Sequence, residues 1–226
     1  MRSLVDHRLL EQTMNREGTA AELFDTASSA LEEIASGRLG LRAVRHPLGF
    51  LCFPVQREGD RGVCVHAFDT AASEMAADLT TSPVHSHSWE LTSCVLYGDV
   101  GNLRVRVLEQ PEEPTHRVFE VRSSPSGLDD IRPTSRLVSC EPGPEQTSAR
   151  GEIYTLPAGE FHATVVPQGS AAATLVLGRS LPGRSDLSLG PVHGTVHQVV
   201  RQTCDAGQTA RTARTVLRRI HAPRPR

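Results

Sequence analysis

Between residues 48 and 178 the chain breaks into short runs of β-type sequence, and this pattern limits the fold more than any other feature. The runs are 48–55, 62–68, 90–98, 102–108, 115–121, 135–140, 151–157, 162–166 and 172–178, with 192–200 as a further strand. The turn signals REGDRG, QPEEP, SSPSG, EPGP and PQGS separate several of them. Many short strands at this spacing predict a sandwich or barrel rather than a parallel βαβ sheet.

Helical periodicity flanks the β region on both sides. Leu4, Leu9, Leu10 and Met14 form a loose pattern over residues 4–14. A clearer one joins Leu23, Ala27, Ala30, Leu31 and Ile34; Thr19 and Glu22 have capping-box spacing before it, and Gly37 sits at its left-handed end. Ala210, Ala213, Leu217 and Ile220 mark a C-terminal helix, and Arg211, Arg214, Arg218 and Arg219 read as its solvated face. The expected organisation is a helical extension over 1–46, a barrel over 47–200, and a helix with a tail over 201–226.

Composition removes several function classes. With 226 residues, one core of useful size is expected. A net charge of -2 gives no global field for nucleic acid or an acidic membrane. All 24 basic side chains are arginine, so Schiff-base lysine chemistry is excluded. The five cysteines are scattered without a C-x-x-C pair, which argues against a disulfide framework and a structural zinc site. The N-terminus lacks a signal-peptide core and no apolar run reaches membrane-spanning length, so a soluble, cytoplasmic protein is expected.

Two segments carry chemistry. In VHSHSWELTSCVLYG (84–98), His85 and His87 sit two apart, which on an extended strand puts both imidazoles on one face. In GEIYTLPAGEFH (151–162), Pro157 and Gly159 shape a tight turn that can aim His162 back into a barrel. Together these segments resemble the two motifs of the cupin superfamily. The first motif is H-x-H, three or four residues, usually Glu, six residues, then Gly; here it is met by His85, His87 and Gly98, with Leu91 in the glutamate position. The second is met by Gly151, Pro157, Gly159 and His162, with Val166 in place of a final Asn. The resemblance covers about residues 47–178 and is sharpest at the motifs.

The resemblance implies an all-β fold, a single double-stranded β-helix (jelly-roll barrel) with N-terminal helices and a C-terminal helix. It implies metal ligation by His85, His87 and His162, with Fe(II) as the expected ion; imidazole donors also accept Ni(II) or Mn(II). Glu90 neighbours Leu91 and reaches the metal only through a local bulge. Loss of the glutamate is shared with the thiol dioxygenases, to which the chain is distantly similar. Two of their features are absent: Cys94 is not at their crosslinked-cysteine position, and Ser-x-His-x-Tyr is replaced by the strand from Thr174 to Arg179.

Around this triad, Tyr97, Tyr154, Trp89 and His66 are candidate pocket residues. Arg179, Arg104, Arg106 and Arg57 are candidates to hold a substrate carboxylate. The expected activity is a mononuclear non-haem oxygenase oxidising a small chelating, sulfur-containing amino acid or related acid with O2. A metal-dependent isomerase, epimerase or lyase is the alternative, and a non-catalytic regulatory cupin a further one. Expected partners are a small-molecule substrate and O2, with no nucleic acid and no membrane; a homodimer is the default assembly.

Overall fold

A computed structural model of the chain describes residues 5–69, 80–109, 111–124 and 127–223. Leu4 of the first apolar pattern, Gln110 and Pro125 in two turn signals, and residues 224–226 of the tail lie outside the described residues. Helices α1 (His7–Met14) and α2 (Ala20–Ala35) come first. The strands are β1 (Val44–His46), β2 (Phe50–Glu58), β3 (Arg61–Phe68), β4 (His85–Ser86), β5 (Trp89–Tyr97), β6 (Asp99–Glu109) and β7 (His116–Ser123). They continue with β8 (Leu128–Ala149), β9 (Ile153–Leu156), β10 (His162–Val165), β11 (Ala172–Ser180), β12 (Asp186–Gly190) and β13 (His197–Val200), before helix α3 (Ala206–His221).

The pairing is nested. β6 pairs with β8, β5 with β9, β4 with β10, and β3 with β11, all antiparallel. A long hairpin with β7 near its tip would give that order. Cross-pairings β5–β11 and β6–β10 then roll the hairpin on itself. The result is the double-stranded β-helix of a cupin-type jelly roll, with two antiparallel sheets ordered β1-β2-β3-β11-β5-β9 and β13-β8-β6-β10-β4-β12-β7. β7 also pairs with β8, which closes the second sheet.

Strand alternation sorts the side chains of the first sheet. Phe53, Val63, Val65, Leu96, Leu175 and Leu177 leave the barrel and join one core with Leu23, Leu31 and Ile34 of α2 and Val216 and Ile220 of α3. Leu91, Val95, Tyr154, Leu156 and Val176 face inward and line the barrel with Trp89 and Cys64. The helices therefore cover one face of the sheet and leave its other face to the interior. Among the described residues no helix is long and apolar enough to cross a membrane.

Several local expectations are corrected. EPGP, read as a turn, lies within the 22-residue strand β8. Pro142 sits opposite Val105 next to a register shift between Leu103 and Val105, where a bulge tolerates the missing N–H. Only the last four residues of 192–200 are strand, and β1 and β12 fall outside the expected runs. Leu9 points outward at 59% exposure, so the buried face of α1 is His7, Leu10, Thr13 and Met14.

Thr19 stands at the N-cap of α2 but makes no side-chain cap; its hydroxyl donates to the carbonyls of Thr13 (2.7 Å) and Arg16 (3.0 Å). Glu22, the other half of the expected box, pairs with Arg16. The capping box forms instead at α3, where the Gln208 N–H donates to Asp205 Oδ1 (2.7 Å) and the Asp205 N–H to Gln208 Oε1 (3.3 Å). Asp205→Ala is expected to lower stability by about 1 kcal/mol, read as a shift in urea midpoint; an unchanged midpoint would show that the cap contributes nothing.

Candidate metal centre

The three histidines of the two motifs converge. β10 lies between β4 and β6, with His162 in register with His85 on one side and Arg104 on the other. Ring centroids are 4.5 Å apart for His85–His162, 4.7 Å for His85–His87 and 5.2 Å for His87–His162. One ring nitrogen of each lies within 4.8 Å of the others. His162 is 1% exposed.

Backbone carbonyls set the tautomers. His85 Nδ1 is 2.9 Å from the Pro83 carbonyl and His162 Nδ1 is 3.0 Å from the Glu160 carbonyl. A carbonyl only accepts, so each Nδ1 carries the proton and each Nε2 keeps its lone pair for a metal. His87 is held differently, against the Trp89 ring at 4.4 Å.

Local chemistry explains the aim of the loops. Gly159 has φ +84°, which only glycine adopts without strain, and its N–H donates to the His87 carbonyl at 2.8 Å. That bond ties the proline–glycine corner to the H-x-H segment. The Ser88 N–H donates to Asp186 Oδ1 at 2.6 Å, which fixes the same segment from the other side.

Burial governs the electrostatics. It pulls the pKa of His85 down to about 4, with neighbouring His162 adding to the effect. His87 is pushed well below the usual imidazole range, and His162 is lowered, in both cases chiefly by burial. All three rings are therefore neutral near pH 7, the protonation state that ligates metal.

A stability consequence follows for the metal-free protein. Its full stability is present above about pH 6.5, where the unfolded histidines are also neutral. As pH falls toward 4, the unfolded chain takes up protons that the folded site refuses, and stability is lost. For His85 alone the loss is on the order of 3 kcal/mol. Metal-free protein is expected to lose more stability between pH 7 and pH 4 than the His85→Gln variant does. Equal losses in paired urea titrations would exclude this effect.

The triad lies on the wall of a cavity of about 1720 Å³. His66, Trp89, Tyr154 and Arg57 from the sequence reading line it too. Burial pushes the Tyr154 hydroxyl pKa up. Tyr97 does not face the cavity: a register shift between Ala173 and Thr174 turns it to the helix side, where Arg219 lies 5.7 Å over its ring. Glu90 is exposed and stands opposite Arg179, because β5 and β11 run in unbroken register there and no bulge rotates it inward. Leu91 takes the inward position, at 5% exposure.

Arg179 is likewise exposed on the outer face. Arg104 pairs with Glu160 at 3.0 Å and Arg106 with Glu141, both at the exposed surface. The cavity also holds residues the sequence did not single out: His46, Arg201, Asp186, Cys52 and Cys64. His46 is stacked on Phe50 at 4.3 Å and its pKa is lowered well below the usual range by burial. Arg201 reaches Asp129 at 3.1 Å. Neither segment has a strong pattern, so only the folded sheet edge brings them here.

Gly178 bears directly on the site. A Cβ built there would meet the Trp89 ring at 2.7 Å, and Trp89 supports His87. Gly178→Ala is expected to displace the indole and weaken metal binding roughly 10- to 100-fold, the usual effect of losing an outer support. A competition titration with a chromogenic chelator reads this; an unchanged affinity would show that the indole does not position His87.

No family model matches the sequence, and no curated protein matches it. Solved structures do align. A hydroquinone 1,2-dioxygenase, PnpCD, in complex with Cd2+ and 4-hydroxybenzonitrile is 15% identical over 57% of this chain and 63% of its own, with a TM-score of 0.32. The hydroquinone 1,2-dioxygenase of Sphingomonas sp. TTNP3 with 4-hydroxybenzoate bound is 11% identical over 56% of this chain and 64% of its own, also at 0.32. The match spans less than two thirds of either neighbour. By its own strand order, this chain has a cupin-type jelly roll with three histidines gathered at the wall of its cavity.

Proposed function

We propose that the chain is a mononuclear metal-dependent oxygenase in which His85, His87 and His162 hold Fe(II). The supporting observation is the convergence of three neutral, pre-oriented imidazoles within 4.8 Å at the wall of a cavity. The donor set suits the ion: three nitrogen donors are accepted by Fe(II), and Leu91 in place of a carboxylate leaves its charge uncompensated. A bound iron of this kind supplies O2 activation and Lewis acidity.

The chain's own residues set the substrate. An uncompensated 2+ charge favours an anionic chelating ligand, and a small thiol-bearing amino acid or related acid has the required donors. Among the described residues, Arg57 and Arg201 are the arginines on the cavity wall and would hold its carboxylate. Arg201 is already oriented by Asp129. Trp89, Leu91, Leu156 and Val176 provide apolar walls that exclude water from the reacting end. Tyr154 lines the cavity, and its hydroxyl, kept protonated by burial, lies in hydrogen-bond contact with Ser93 and Asn102.

Elemental analysis of the protein as isolated, followed by oxygen-electrode assays with small thiols and diketones, tests this reading. Near-stoichiometric iron and substrate-dependent O2 uptake, with ¹⁸O from ¹⁸O2 in the product, are the expected results. Substrate turnover without O2 uptake would replace it with Lewis-acid isomerase or lyase chemistry. Absence of any bound metal would leave a ligand-binding cupin.

A further inference from the structure

We propose that Cys52, Cys64 and His66 form a second metal site in the same cavity, one that takes a thiolate-preferring, zinc-type ion. This site uses none of the side chains of the three-histidine centre and is independent of the oxygenase reading.

The geometry is that of a β-ribbon chelate. Cys64 and His66 lie two apart on β3, so alternation puts both on its inner face. Cys52 on β2 is the direct cross-strand partner of His66. One donor atom from each of the three lies within 4.8 Å of the others. All three line the cavity, half-buried, and both cysteines are free thiols. Neighbouring Val63, Val65 and Phe53 are fully buried on the opposite face, so this inward row cannot be exchanged with the outer one without turning the strands over.

The chemistry selects the ion. Tetrahedral zinc with sulfur at about 2.3 Å places its sulfur donors just under ~4 Å apart, so the three donors need close by only about 1 Å. Two thiolates and a neutral imidazole cancel a 2+ charge. The histidine centre, with nitrogen donors alone, cancels none. Sulfur donors favour zinc-type ions and an all-imidazole set accepts iron, so one cavity offers two sites of different preference. With three protein ligands the fourth position of the cysteine site faces the cavity, the arrangement of a zinc ion that also takes water or a ligand. The thiols share their protons unevenly: the hydrogen bond with Cys52 lowers the Cys64 pKa and raises that of Cys52.

Cobalt(II) titration of the full-length, metal-stripped, reduced protein tests the proposal, because thiolate coordination adds a near-ultraviolet charge-transfer absorption that imidazole ligands lack. The native chain is expected to take two equivalents, one of them with that absorption. Cys52→Ser combined with Cys64→Ser should take one equivalent without it. His85→Gln combined with His162→Gln should take one equivalent and keep it, which separates failure of this site from failure of the histidine centre. His66→Ala, which leaves both thiols in place, should weaken the absorbing site at least 10-fold, and it serves if the double cysteine variant does not fold. The proposal is overturned if native protein shows no charge-transfer absorption, if that absorption survives loss of both cysteines, or if His66→Ala binds as tightly as native.

Discussion

The His162→Ala variant is expected to purify without stoichiometric iron and to show no substrate-dependent oxygen uptake, while keeping its β-sheet content. His162 is the one histidine of the triad supplied by β10, and its Nε2 is aimed by the bond from Nδ1 to the Glu160 carbonyl. Without it, His85 and His87 remain as a two-point chelate on one short segment. Loss of an outer-shell support typically costs 10- to 100-fold in affinity, so loss of the ligand itself should exceed about 100-fold. The space left by the imidazole admits water, and the neighbouring backbone pairing of β10 with β6 is untouched. Isothermal titration with Fe(II) under anaerobic conditions measures the effect. Binding within a few-fold of native would remove His162 from the centre.

Phe119→Ala carries the largest expected loss of stability, about 3–5 kcal/mol. Phe119 is 1% exposed and occupies a slot bounded by two glycines: a Cβ at Gly190 or at Gly194 would meet its ring at 2.7 Å. The slot is rigid backbone, so it cannot collapse around an alanine. Natural domains have a margin of about 5–15 kcal/mol, so this one change removes a large share. The damage reaches the metal centre through the sheet. Ser188 of β12 is the register partner of Phe119 on one side and of His85 on the other. Weaker metal binding should therefore accompany the lower urea midpoint. A midpoint shift below about 1 kcal/mol would show that the slot repacks.

The legible parts of this molecule were those whose physics is local. Alternation over 62–68 marked β3, the continuous β-type run over 172–178 marked β11, and the helical spacing from Leu23 to Ile34 marked α2. His85, His87 and His162 stood out because strand spacing and a proline–glycine corner both constrain direction. What escaped depends on tertiary context. EPGP has turn chemistry in isolation, but within β8 it becomes a bulge as that strand passes from β7 to β6. Tyr97 should share the face of Leu91 by alternation, and the register shift at Ala173/Thr174 reverses it. Arg201 and His46 are brought to the cavity by pairing of residue 45 with 202 and of Val44 with Thr203, contacts that no local pattern encodes.

β4 is two residues long, and its neighbours are β10 and β12. During synthesis His85 of this strand and the adjacent His87 leave the ribosome well before either neighbouring strand exists. The nascent segment has nothing to orient its rings until residues 162–165 arrive, and its second flank is missing until residues 186–190 follow. Convergence of the three imidazoles is thus a property of the finished polypeptide, and under the proposed function the ion would enter an already folded barrel rather than template it.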